Sequence, residues 1–379
     1  MSSFYGIGLM SGNSLDGLDI CYAEFIGNPN VDVWSYRMIK TETLPYSTTM
    51  KARLKSVAKV SGVELIRLHH DYGRFVGTKT AESIQQENIK PDFVAAAGHS
   101  AFHQPNKGLH FSLGDGETIA AYLPCPLVTN FENKDVELGG QGRPLVALGD
   151  MYLFSNFDFC LNLGGLAFVS SAGQAFDVCP CNVVLNYLAK LLDNGLDFDK
   201  DGATAASGEV VPDLLKELND LSYYHRELPK TLSREWFDEV MVPLFDQELC
   251  SPSDKLRTAV EHITDQIVAA IYLFPQSVVP SSPKTRPRKI LITGGGARNK
   301  FLMSVLADKL DDIHDISFAD CEMELVGYKE ALIMAFLGMR TMLGLVNVSR
   351  DITGSKMDTV SGSIHLPPHH SKPTFLLKQ

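Results

Sequence analysis

The chain has 379 residues, a formal net charge of -11, and a composition that is 45% hydrophobic and 21% charged. That length is too great for one ordinary core and predicts two lobes of roughly 150–200 residues each. An acidic surface repels a polyanion, so a nucleic-acid partner is excluded without a basic stripe. The one basic cluster, Lys284, Arg286, Arg288 and Lys289, lies among prolines and reads as a solvated loop. No stretch approaches the ~20 apolar residues of a membrane span. The first residues lack the pattern of a signal peptide, and seven scattered cysteines do not form a secreted disulfide framework. The expected location is the cytoplasm.

In chain order, apolar runs alternate with helix-like stretches, the pattern of an α/β fold. Strands are predicted over 5–10 and 19–25, helices over 48–59 and 62–86, a strand over 93–97 and a helix over 144–153. Strands follow over 159–163 and 168–170, then helices over 182–193, 214–221 and 254–273. The chain closes with a strand over 290–293 and helices over 299–311 and 328–343. Leu256, Val260, Ile263, Ile267, Val268 and Ile271 recur at helical spacing, a stripe that reads as core packing. Strand, glycine turn and second strand occur over 5–25 and recur over 157–170, roughly 150 residues later, which suggests a duplicated lobe with one phosphate-gripping turn in each half.

The first turn runs Gly12, Asn13, Ser14, Leu15, Asp16, Gly17, Leu18, Asp19. Glycine lets backbone N–H groups approach phosphate oxygens closely. Asp16 or Asp19 can orient Mg2+, an ion that takes oxygen ligands and keeps several waters. The same residues also make an ordinary hairpin turn. A second turn holds Gly164 and Gly165. A third, Gly294, Gly295 and Gly296, runs through Ala297 and Arg298 to Asn299, following a strand and opening a helix. A dinucleotide reading of the third turn fails on its last glycine, where Asn299 stands, and on its late position. The Gly-x-x-x-x-Gly-Lys-Ser/Thr pattern is absent, which excludes a P-loop enzyme. Three such turns in order favour a nucleotide clamp.

Asp177 follows Phe176 at the end of a short apolar run and precedes Cys179, Pro180, Cys181, Asn182 and a helix. A carboxylate there reads as a general base in a cleft, or as a helix cap or a loop ion pair. Cys179 and Cys181 lack a second Cys or His pair at zinc-like spacing. His99 and His103 follow the strand 93–97 at i,i+4. The adjacent Pro105 and the lack of a nearby Glu argue against a helical metal pair, leaving a substrate contact or a loop hydrogen bond. Asp115-Gly116-Glu117 and Gly139-Gly140-Gln141-Gly142 read as polar turns.

Taken together, the stretches GLMSGNSLDGLD (8–19), GHSAFHQP (98–105), GDGETIA (114–120), DVELGGQGRPLV (135–146), LNLGGLAFVS (161–170), FDVCPCN (176–182), LPKTLSREWF (228–237), TGGGARNKFLM (293–303) and KEALIMAF (329–336) resemble the anhydro-N-acetylmuramic acid kinase family, within the superfamily of actin, sugar kinases and heat-shock chaperone ATPases. The likeness runs from Gly8 to about Leu366. It implies an α/β fold of two actin-like (ribonuclease H-like) lobes with mixed sheets and an inter-lobe nucleotide cleft. The lobes would span 1–150, with part of 345–379 packing back on it, and 151–344, carrying the catalytic aspartate and the adenosine-side turn. The resemblance further implies ATP and Mg2+, 1,6-anhydro-N-acetylmuramic acid as the sugar, and a homodimer. It carries the family's phosphate loops onto Gly12 to Asp19 and Asn162 to Gly165, and the adenosine-side turn onto Gly294, Gly295, Gly296 and Asn299. The catalytic base falls on Asp177 and a substrate-side carboxylate on Glu330. His99, His103, Gln141, Arg143 and Asn182 complete the expected substrate side.

The chain departs from the family pattern at several points. Asn13 replaces a Thr, Glu132 replaces an Arg, Arg143 stands where a small residue is usual, and Leu232-Ser233 replaces Thr-Gly. Cys179 replaces a Gly and would be strained if that position needs positive φ. The implied chemistry is attack of water on C1 with Asp177 as base, cleavage of C1–O6, and transfer of the γ-phosphoryl group to O6. The competing readings are a levoglucosan-type kinase and a catalytically inactive nucleotide-binding homologue.

Overall fold

A computed structural model describes residues 1–12, 15–192, 196–274, 288–311 and 316–368. They fall into two units: the described residues of Met1–Leu153 and Tyr328–Gln379, and those of Phe154–Gly327. In chain order the first unit contributes β1 (Ser2–Met10), β2 (Gly17–Asn28), β3 (Val33–Pro45), β4 (Phe93–Ala96), β5 (His99–Gln104), β6 (Leu109–Leu113) and β7 (Leu127–Thr129). The second contributes β8 (Phe159–Leu163), β9 (Leu166–Ser171), β10 (Gln174–Pro180), β11 (Arg288–Thr293) and β12 (Ile316–Phe318). The returning chain adds β13 (Ser363–His365) to the first.

The first unit's main sheet has the order β13-β7-β4-β1-β2-β3, and the second unit's has β10-β9-β8-β11-β12. In each, the first strand pairs antiparallel with the second and parallel with the fourth, the second pairs antiparallel with the third, and the fourth pairs parallel with a fifth. Both units therefore share the third-second-first-fourth-fifth order of an actin-like lobe. The duplication heard in the two hairpins extends to whole sheets, and β13 is an antiparallel addition at one edge.

Local chemistry explains the main helices. Ser61 caps helix Gly62–Gln86, its hydroxyl accepting from the Glu64 N–H at 3.3 Å, with the glutamate at the third helical position. Ser251 caps helix Pro252–Leu273 with proline at the first position, where a missing N–H costs nothing. The apolar stripe of that helix lies against β10 and joins β8 and β9 in one buried cluster, which includes Leu161, Leu163, Val169, Ile263 and Ile267. A separate cluster around Ile7, Leu9, Tyr72 and Val94 forms the core of the first unit. No helix among the described residues is long and apolar enough to cross a membrane.

Several sequence expectations change. The segment 328–344, expected with the second lobe, belongs to the first unit. Its helix, Met323–Leu343, presses so close to β1 that a Cβ on Gly8 would lie 1.8 Å from the Ala331 carbonyl oxygen. The Lys329 ammonium also forms a buried ion pair with Asp150 at 2.9 Å. Arg288 and Lys289, read as loop, open β11, where the Lys289 N–H donates to Asp158 Oδ2 at 2.7 Å. Lys284 and Arg286 lie outside the described residues. Asp115, read as part of a turn, caps the short helix Gly116–Ala120 by accepting from the Thr118 N–H.

Candidate active site

In the second unit, β8 and β11 end side by side, with Asn162 in register with Thr293. The Thr293 hydroxyl donates to Asn162 Oδ1 at 3.1 Å, and both residues are buried. Beyond them the chain turns twice. Gly164 and Gly165 lead into β9, while Gly294, at φ 86°, leads into the short 3-10 turn Gly295–Arg298. Asn182, first residue of helix Asn182–Ala189, ties the first of these turns down. Its Nδ2 donates to the Leu163 carbonyl at 2.9 Å and its N–H to the Gly164 carbonyl at 3.1 Å, while the Cys181 N–H donates to the Gly165 carbonyl at 2.9 Å. Asn162, Gly164, Gly165, Asn182, Gly294, Gly295 and Gly296 thus converge at one end of one sheet.

The glycines have different duties there. A Cβ on Gly296 would lie 2.7 Å from Leu163 Cβ, and one on Gly294 would lie 2.7 Å from the Leu163 carbonyl, so these two serve packing. A Cβ on exposed Gly295 would meet only Asn182 Nδ2, at 3.4 Å. The backbone there is open to a ligand. Asn299, expected beside the nucleotide, caps the next helix, Lys300–Asp311, its Oδ1 accepting from the Leu302 N–H at 3.0 Å.

Asp177 lies inside β10, neither a helix cap nor part of a loop. It is in register with Phe168 of β9, which is in register with Asn162 of β8. Residues paired in this way share a face, and two strand spacings put the Asp177 and Asn162 backbones ~10 Å apart. The side chain is buried, with Oδ2 accepting from the Leu232 N–H at 2.8 Å. Cys179 is strain-free in φ, because the described non-glycine residues at positive φ are Leu15, Asp32, Asn88, Asn130, Ala172 and Asp201. Burial raises the Cys179 thiol well above its usual range and pushes Cys181 up to about 12, so both stay protonated and inert.

In the first unit, Asn13 and Ser14 of the first turn lie outside the described residues. Leu15 sits at φ 56° with its side chain buried, an uncommon conformation for a non-glycine residue. Gly17 serves strand pairing, since a Cβ there would lie 2.5 Å from the Leu44 carbonyl. Asp16 is exposed and its Oδ1 accepts from the Gly17 N–H at 3.1 Å. Asp19, half-buried on β2 after Leu18, accepts from the Thr43 hydroxyl at 2.6 Å.

His99 and His103 stand on strand β5 rather than in a loop, and both are buried, with a register shift between Ser100 and Phe102 separating them. His99 Nδ1 meets the Ser11 hydroxyl at 2.9 Å, and His103 Nδ1 meets His110 Nδ1 at 3.1 Å. Burial, reinforced by the Arg143 charge, lowers His99 to about 4 and His103 to about 2. Both rings are neutral at physiological pH. His103 Nε2 is buried without a hydrogen-bond partner among the described residues. Glu132 approaches His110 Nε2 at 3.7 Å and Arg143 at 3.9 Å, so two departures from the family pattern sit beside each other.

Gln141 and Gly142 are anchored by Asp135, which sequence reasoning missed. Its Oδ2 accepts from the Gly142 N–H at 2.7 Å and its Oδ1 from the Thr353 hydroxyl at 2.6 Å, while the Gln141 N–H donates to the Thr353 carbonyl. A signal was present, since only glycine fits at position 140: a Cβ there would lie 2.1 Å from the Asp135 carboxylate. Glu330 is half-buried, and removal from water pushes its carboxyl up to about 7. Lys329 and Arg143 oppose that rise, while Asp19 and Asp150 add to it. Asp19, Arg143 and Glu330 therefore share one electrostatic neighbourhood, and the same Arg143 acts on His99 and His103.

These groups fit the ligands that the resemblance implies. Open backbone at Gly295 suits a phosphate or ribose approaching closely. Among the described residues no three His, Cys, Asp or Glu side chains gather as a metal cage. Asp16 and Asp19 instead offer two carboxylates outside any such cage, a donor set suited to a Mg2+ ion that keeps waters and phosphate oxygens among its ligands.

The profile of the anhydro-N-acetylmuramic acid kinase family matches residues 4–367. A protein named anhydro-N-acetylmuramic acid kinase from Francisella tularensis subsp. novicida is 32% identical, over 95% of this chain and 98% of its own. Proteins of the same name from Shewanella loihica and Pseudomonas syringae pv. syringae are each 30% identical, over 96% of this chain and 99% of theirs.

Proposed function

The chain belongs to the anhydro-N-acetylmuramic acid kinase family, and from that premise we propose that it hydrolytically opens a 1,6-anhydro sugar and phosphorylates O6 with ATP. The observation that carries this reading is the row Asp177–Phe168–Asn162, which sets a buried carboxylate two strands from the converging glycine turns. A 1,6-anhydro sugar has no free 6-hydroxyl, because O6 is bound to C1 in an internal acetal. In this reading a water oxygen bonds to C1 and gives its proton to Asp177, the C1–O6 bond breaks, and O6 bonds to the γ-phosphorus while the bond to ADP breaks. Asp16 or Asp19 would hold Mg2+, which would supply neutralisation of phosphoryl charge. Asn162, Gly164, Gly165 and Gly295 support a phosphate- and adenosine-side role through their exposed or hydrogen-bonding backbone. Within the first unit we assign His99, His103, Arg143 and Glu330 to the sugar on their shared electrostatic neighbourhood. Gln141 joins them because the adjoining Gly142 lies against His103, a Cβ there falling 3.6 Å from His103 Cε1.

The product of the preferred sugar would be N-acetylmuramic acid 6-phosphate, the step of a cytoplasmic cell-wall recycling route, carried out by a homodimer as the family suggests. One observation favours a second sugar. Glu132 lies 3.9 Å from Arg143 and competes for the guanidinium that a lactyl carboxylate would need. ADP release measured across 1,6-anhydro-N-acetylmuramic acid, its glucosamine analogue and levoglucosan decides between them. The main reading expects the muramyl sugar to have the highest kcat/KM; a preference for levoglucosan would move the assignment to the neutral sugar, and no sugar-dependent ADP would remove both.

A further inference from the structure

Among the described residues β10 is an edge strand, with no further strand of its sheet beyond it. The segment 223–232 lies where the missing strand would be. The Asp177 N–H donates to the Lys230 carbonyl at 3.4 Å, the Asp177 carbonyl accepts from the Tyr223 hydroxyl at 2.5 Å, and Asp177 Oδ2 accepts from the Leu232 N–H. Backbone on both sides of the Cα and the carboxylate itself are thus held by one stretch of chain. The register of β10 also shifts between Asp177 and Cys179, a bulge of the kind that re-aims a side chain.

The gripping groups are dry. Tyr223 is 0% exposed, Leu232 2% and Lys230 6%. Where water is excluded such hydrogen bonds are electrostatically stronger than in solvent. The Lys230 ammonium lies 4.9 Å from the Tyr223 ring centroid and 5.7 Å from that of Phe176, the residue before Asp177. It donates to the Tyr223 and Tyr224 carbonyls at 3.4 and 3.3 Å. A desolvated cation over two aromatic faces pins the tyrosine ring and the strand in one arrangement.

We propose that Tyr223, pinned by Lys230, is a positioning residue that sets the direction of the Asp177 carboxylate. This rests on Asp177 being the base of the proposed reaction. A tyrosine serving only the core would act through its ring, which also packs on Trp236. The hydroxyl is therefore the part to remove.

Tyr223→Phe keeps the ring and the cation above it. Its kcat is expected to fall ~10- to 100-fold, the scale of a misplaced catalytic group, with KM for ATP and sugar unchanged at temperatures well below its Tm. In an Asp177→Asn background the same substitution should cost nothing more, because a residue acting only through Asp177 has nothing left to position. Lys230→Met, which keeps the aliphatic stem, carries the same two readouts should Tyr223→Phe fail to fold. A kcat within about twofold of the parent, or losses that multiply in the double variant, would overturn the proposal. Parent-level turnover by Asp177→Asn alone would instead remove the base, and the positioning role with it.

Discussion

Glu330 and Asp177 are both carboxylates drawn out of bulk water, with different consequences. For Glu330 the ordinary value of 4.5 rises to about 7 in the fold. Below 4.5 the group is protonated whether folded or unfolded, and its contribution to stability is complete. As pH climbs from 4.5 through 7 the unfolded chain ionises first and that contribution is lost. Glu330→Gln should therefore melt with the parent below about pH 4.5 and above the parent at about pH 8, followed by calorimetry; equal displacements at both would contradict the burial argument. For Asp177 the expectation is kinetic. Asp177→Asn should lower kcat ~10²–10⁴-fold, the usual worth of a positioned base, with nucleotide affinity by titration calorimetry unchanged. Parent turnover in that variant would remove the role. Asp177 could be singled out from its neighbours in sequence. Tyr223 and Leu232 could not, because they reach it from 46 and 55 residues downstream.

At the scale of elements, the turns after β8 and β11 separate glycines that pack from glycines that leave backbone open. Gly296→Ala forces a Cβ to 2.7 Å from Leu163 Cβ and should lower Tm, whereas Gly295→Ala meets only Asn182 and should leave Tm unchanged while raising KM for ATP. Unchanged KM in a folded Gly295→Ala protein would show that no nucleotide approaches that turn. β8 is predicted over its observed bounds because it is a central strand, buried along its whole length and uniformly apolar apart from Asn162. β3 escapes notice because it is an edge strand whose residues are mostly exposed or half-buried, so Lys, Arg, Glu and Thr blur its alternation. Among the described residues the hairpin β5–β6 pairs only with itself, which is why His99 and His103 read as loop residues.

At the scale of the molecule, a repeated strand-turn-strand in the sequence stands for a repeated five-strand order in two units. That much was legible because each hairpin is local. The return of 328–368 to the first unit was only partly legible, since contacts such as Lys329 to Asp150 span 179 residues and leave no mark in local pattern. The duplicated frame, the glycine turns and Asp177 serve one claim, that a water molecule opens C1–O6 while O6 receives the phosphoryl group. A single turnover with ATP, Mg2+ and 1,6-anhydro-N-acetylmuramic acid in 18O-water, read by mass spectrometry, tests it directly. The expected result is 18O on C1 of the sugar phosphate, none in the phosphoryl group, and ADP equal to the sugar consumed. Label in inorganic phosphate, with the anhydro sugar left intact, would contradict it.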